Sequence, residues 1–265
     1  MNNTFSFSRL GLLIKKQWSD NSRLYILSAL ALIGLLILIF TIWWLANRYD
    51  YRFTETSTHI IFLIVLFVSG LVFASTTFAT LGDKAKGIYW VSVPATAMEK
   101  LLCGFFYSCI VFMTLYLTGF WLIKHITFFL IELNPQNKLI RADPNDISER
   151  VIIPNFLYAF LALQALFILG SVYFEKFAFI KTILVILFIG FIFVMFTIFL
   201  GHNLLPRNFG AKGFSEFRVY DDNYEGARIY RLASWIGELI ESLVKFIWIP
   251  VFLTAAYFRL KEKEI

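Results

Sequence analysis

Three ionisable residues stand inside an otherwise apolar stretch near the end of the chain: Glu238, Glu241 and Lys245. On a helix, spacings of three and four put Glu238 with Glu241, and Glu241 with Lys245, on one face, so the lysine partly neutralises a carboxylate. Charges at span depth are costly and usually face a bundle interior or water. Two readings follow. Either the trio lines a polar path near a membrane mouth, or the span starts later, near Leu243. In the second case the carboxylates sit among lipid headgroups and Lys245 snorkels toward them. A second polar group lies between Leu81 and Lys100, where Gly82 and Gly87 bracket Asp83, Lys84 and Lys86, followed by Tyr89 and Trp90. Thr96 and Glu99 there have the spacing of a capping box, in which a hydroxyl and a carboxylate satisfy orphan amides at a helix start. This stretch is either a well-capped loop or a docking surface for a partner.

No catalytic arrangement accompanies these residues. The glycines and lysines of Gly82–Gly87 do not have the spacing of a phosphate-cradling P-loop, so ATP hydrolysis by that route is not expected of this chain. His59, His125 and His202 are far apart in sequence and near span boundaries, which suits interfacial rings better than metal ligands. Cys103 and Cys109, six apart, lie roughly 240° apart around a helix and are not expected to pair. No paired acid or base recurs at span depth, so an intramembrane enzyme is disfavoured. Neither a cofactor nor a nucleic-acid partner is expected.

The elements that must hold these residues are helices in lipid. Hydrophobic residues make up 59% of the 265 and charged residues 16%, well below the roughly 25% of soluble domains. The apolar runs are Leu24–Leu45, Ile60–Thr80, Leu101–Ile123, Ile152–Phe174, Thr182–Leu200 and Ile236–Phe258. A helix needs roughly 20 apolar residues to cross about 30 Å of hydrocarbon. The expected fold is therefore all-α, a polytopic membrane protein of six transmembrane helices forming one domain. It divides into a cytoplasmic amphipathic helix over 1–23, a six-span bundle over 24–258 and a cytoplasmic tail over 259–265. The first run is too long for a signal-peptide core and lacks a small-x-small cleavage site, so it is read as a retained span.

With six spans both termini share one side. Lys15, Lys16, Arg23, Lys100, Lys176, Lys181 and Arg259 crowd the span ends on that side, which the positive-inside rule assigns to the cytoplasm. Phe7, Leu10, Ile14 and Trp18 recur at helical spacing, with Lys15 and Lys16 largely elsewhere around the helix. Such a segment can lie in the headgroup layer against membrane lipids. On the other side, Lys124–Val151 carries turn chemistry, and the second half of Gly201–Trp235 is expected to hold an amphipathic helix. Pro250 is expected to kink the last span.

This layout resembles the membrane subunit of ATP-binding-cassette (ABC) transporters of the type-2 exporter class. The matching features are an amphipathic helix before six spans, both ends cytoplasmic, and a cytoplasmic segment between spans two and three. Trp90-Val91-Ser92-Val93-Pro94-Ala95-Thr96-Ala97-Met98-Glu99-Lys100 looks like the family's Leu-Pro-x-Ser-x-x-Glu-Lys run, and Tyr257–Glu264 is similar to the tails of bacterial members. The resemblance implies a second permease subunit, identical or different, around a central path, and separate ATPase subunits below. It implies that Leu81–Glu99 and the N-terminal helix receive the ATPase stroke, with Asp83, Lys84, Lys86, Tyr89, Trp90 and Glu99 as docking residues. One feature departs from the pattern. Family members commonly carry short apolar re-entrant helices between spans five and six, where this chain has the charged segment Asn203–Trp235. The rival expectation is a membrane scaffold or assembly factor of the same fold that transports nothing.

Overall fold

A computed structural model describes residues 5–49, 51–82, 87, 89–90, 92–141, 152–204, 209–212, 216–220, 227–231 and 233–263. Six helices are long and apolar enough to cross a membrane, and the architecture is that of an all-α polytopic membrane protein. The chain divides into two compact units, Met1–Phe179 with Phe252–Ile265, and Ile180–Val251.

In the first unit, α1 (Phe7–Asn47) is one helix of 41 residues, about 60 Å long and twice the hydrocarbon thickness. The amphipathic segment is thus not a separate element. No glycine or proline separates Trp18 from Leu24, and the polar run Ser19–Ser22 stays helical, with the Asn21 side-chain Nδ2 also donating to the Gln17 carbonyl at 3.3 Å. No boundary falls at Arg23. The short parallel pair β1 (Arg52–Thr54) and β2 (Lys138–Ile140) follows, with Phe53 opposite Leu139 and buried against Trp43. Then come α2 (Glu55–Thr76), α3 (Ala97–Glu132) and α4 (Ile153–Tyr173). Lys124 on α3 pairs with Glu55 at the start of α2 at 2.6 Å.

The core is built from stripes at 3–4 spacing. Leu32, Leu36, Phe40 and Trp43 on α1 meet Phe112, Tyr116, Phe120 and Ile123 on α3, together with Val65 and Leu66 on α2 and Phe160 on α4. Between helices in lipid, van der Waals packing and hydrogen bonds replace the hydrophobic drive. Small residues therefore matter where helices come close. At Gly70 on α2, an added Cβ would stand 2.6 Å from the ring of the fully buried Phe160. We expect Gly70→Ala to cost about 1–2 kcal/mol through overpacking. A lowered midpoint of thermal unfolding in detergent checks it, and an unchanged midpoint counts against close α2–α4 packing.

The second unit holds most of α5 (Ala178–Leu204), the three-stranded antiparallel sheet β3 (Phe209–Lys212), β4 (Glu216–Tyr220) and β5 (Ala227–Arg231), and α6 (Ser234–Phe246). Strand β4 is central, with Phe217 opposite Ala211 and Tyr230. This corrects the expected amphipathic helix in the second half of Gly201–Trp235. Phe217-Arg218-Val219-Tyr220 and Arg228-Ile229-Tyr230-Arg231 are rich in aromatic and β-branched residues, the composition that favours strands. Among the described residues, helix resumes at Ser234. Along α5, Leu187, Phe188, Phe191, Phe193 and Phe196 are all exposed within the unit, so apolar side chains surround the helix. Such a helix is stable in lipid and not as a surface helix in water.

The last apolar run is interrupted at Ile247, three residues before Pro250. α6 ends at Phe246, Ile247 is a turn, and α7 (Trp248–Lys263) places Pro250 in its first turn. Proline carries no N–H, so the bond to the Phe246 carbonyl is missing there, and the ladder resumes from Val251 to Ile247 at 3.2 Å.

Candidate functional site

Among the described residues of the first unit, a dense group of polar contacts surrounds the start of α3. Thr96 is its N-cap. The Glu99 amide donates to Thr96 Oγ1 at 3.3 Å, and Glu99 Oε2 accepts from the Thr96 amide at 2.8 Å, which completes the capping box. The other carboxylate oxygen reaches ninety-three residues back along the chain. Glu99 Oε1 accepts from the Ser6 amide at 2.8 Å and pairs with Arg9 Nη2 at 3.0 Å. The Ser6 amide lies just before α1, where backbone donors have no partner within the helix. One carboxylate thus caps α3 and holds the start of α1 against it.

Two turns further along α1, the Tyr107 hydroxyl donates to the Ile14 carbonyl at 2.8 Å. Trp18, Tyr25 and Tyr107 form a stacked column with centroid separations of 5.9 and 4.9 Å, and Gln17 donates to the Tyr25 hydroxyl. The connector before Thr96 is held by its aromatics. Lys16 of α1 lies 4.7 Å from the Tyr89 ring centre, and Lys100 of α3 lies 4.9 Å from that of Trp90. Trp90 also meets Phe78 edge-on at 5.6 Å. Cation–π contacts of this kind are worth about 0.5–2 kcal/mol, more where water is excluded. Connector, α1 and α3 are thereby joined at one end of the unit.

The residues singled out in the sequence fall differently within this arrangement. Tyr89 is exposed, so it presents a surface as well as holding Lys16. Trp90 is half-buried and faces inward to Phe78 and Lys100. Glu99 is fully buried with its carboxylate occupied, which makes it an internal clamp; as a docking contact it has no surface to offer. Asp83, Lys84 and Lys86 lie outside the described residues. In the second unit, Glu238 and Glu241 on α6 are exposed rather than enclosed, and Lys245 pairs with Glu241 at 2.7 Å. That arrangement suits the headgroup reading of the trio better than a lined path. Cys103 and Cys109 are separate buried thiols.

Sequence reading missed Ser6, Arg9 and Tyr107 because each acts on a partner distant in the chain. It also missed a distortion in α3. Residues Phe106–Val111 form a π-helical turn, and the buried Gln164 of α4 donates to the Ser108 carbonyl there. A lone amide in the middle of the run Ile152–Phe174 was the available signal. Compared with protein families, curated proteins and solved structures, the chain matches none.

Proposed function

We propose that this chain is the membrane-spanning permease subunit of an ABC transporter, an exporter of the cell (inner) membrane with both termini in the cytoplasm. It works with a second permease subunit and a separate ATPase subunit that hydrolyses the nucleotide. The observation that carries the reading is the clamp of α1, connector and α3 around Glu99 and the Lys16–Tyr89 and Lys100–Trp90 contacts. A push on the connector at such a joint moves two spans together, as a permease must when its ATPase closes. Six apolar spans and the echo of the family's motif in Trp90–Lys100 support the same reading. One observation favours the rival, a scaffold that transports nothing: Glu238 and Glu241 are exposed, and the half-buried Lys245 pairs with Glu241.

The test is recovery of a P-loop ATPase with the purified chain. Reversing both charges at Lys84 and Lys86 is expected to cut that recovery by about tenfold or more, since like charges across an interface cost several kcal/mol. Unchanged recovery removes those lysines from the docking surface. No ATPase partner at all favours the scaffold.

A further inference from the structure

The third span is gripped on both sides of a distortion. Before it, α3 carries the capping box and Glu99, which hold the start of α1. After it, Phe112, Tyr116, Phe120 and Ile123 are set in the core against Leu32, Leu36 and Phe40, also on α1. Between lies the π turn Phe106–Val111, whose sequence contains neither glycine nor proline. A π turn is equivalent to one residue inserted into an α-helix. It therefore offsets the two halves of the span by about 100° relative to a continuous ladder.

Gln164 stands on the middle of that turn. It is fully buried on α4, and its Nε2 donates to the Ser108 carbonyl at 2.5 Å. Its Oε1, also buried, has no hydrogen-bond partner among the described residues. The side chain is anchored on the turn through its Nε2 donor to the Ser108 carbonyl. The Tyr107 hydroxyl, in the same turn, holds the Ile14 carbonyl of α1.

We infer that the π turn is a rotary joint in the third span, latched by Gln164. With the latch in place, the end of α3 carrying Glu99 and Cys103 keeps its present rotation. With the latch released, the extra residue can migrate along the helix, and that end turns relative to the half embedded in the core. That a push on the connector drives the turn rests on the permease reading above; the joint and its latch do not depend on it.

The test uses the purified chain in detergent and needs no partner. Cys103 is buried on the end expected to turn. In Gln164→Leu, alkylation of Cys103 by N-ethylmaleimide is expected to accelerate at least fivefold, while amide exchange of residues 112–132 stays that of the parent. A folded Gln164→Leu protein with parental Cys103 reactivity overturns the proposal. Deleting Ile110, the exposed residue of the turn, removes the inserted residue and leaves a continuous α-helix with both halves in register. In that background Gln164→Leu is expected to be silent, with Cys103 as protected as in the parent. Should Gln164→Leu alone fail to fold, the Ile110 deletion is expected to rescue it, and failure to rescue refutes the latch. Loss of the ATPase partner with intact cysteine results would sink the permease reading and leave the joint standing.

Discussion

Replacing Glu99 by alanine is expected to free the first turns of α1 from the bundle while leaving the spans assembled. The carboxylate accepts from two backbone amides, Thr96 and Ser6, and pairs with Arg9. Both amides are partly buried, so each left without an acceptor costs about 1–2 kcal/mol, toward the low end of the penalty for a buried group. Arg9 adds less than a buried partner would, because it is 34% exposed and keeps access to water. The sum is about 2–4 kcal/mol, concentrated at one end of the molecule. The next anchor along α1 is the Tyr107–Ile14 bond, so the release stops there. Amide exchange of residues 10–14 should therefore rise by about thirtyfold or more, since about 1.4 kcal/mol is tenfold. Amides of α2 and of the core half of α3 should not change. Uniform destabilisation of the whole chain would show instead that Glu99 is a general core residue. Gln at this position keeps one acceptor oxygen and should fall between the two proteins.

The second large effect belongs to Tyr116. Its ring is fully buried, stacked between Phe112 at 6.0 Å and Phe120 at 6.1 Å, with Phe62 at 5.5 Å. Its hydroxyl donates to the Phe62 carbonyl of α2 at 2.6 Å. Cutting the side chain to alanine opens a cavity where α1, α2 and α3 meet. In a soluble protein such a truncation costs about 3–5 kcal/mol. In lipid the transfer term is small because the separated helices are already solvated by hydrocarbon, which leaves packing and the hydrogen bond. We expect about 3 kcal/mol for Tyr116→Ala, read as a lowered unfolding midpoint in detergent. Tyr116→Phe keeps the ring and should lose only about 0.5–1.5 kcal/mol, the net worth of one hydrogen bond. Equal losses for the two variants would place the whole contribution in the hydroxyl and contradict the aromatic column.

Both variants act at contacts between elements far apart in the chain, whereas features at short offsets were legible without any structure. The six spans follow from run length and hydropathy, because a helix in lipid satisfies its own backbone and needs only enough apolar residues to reach across. The capping box at Thr96 and Glu99, the Glu241–Lys245 pair and the break before Pro250 were all visible, each involving residues no more than four apart. Helical geometry alone sets those offsets. The strands of β4 and β5 were available by the same logic. There the aromatic and β-branched content favours strands, while the mixture of charge with aromatics suits an amphipathic helix as well.

What awaited the folded chain is the choice of distant partner. The Glu99 pattern shows a cap, but nothing near it shows that its second oxygen would be taken by Ser6 and Arg9, which turns an expected docking residue into a buried clamp. The π turn has no breaker residue to announce it; only the fold shows it, together with the Gln164 amide that donates to its Ser108 carbonyl. Local signals are written by backbone geometry, which repeats every few residues and is the same in every helix. The pairing of distant side chains depends on which helices lie together and at what rotation, and lipid, which surrounds apolar faces alike, does not specify that rotation. Packing and buried hydrogen bonds do.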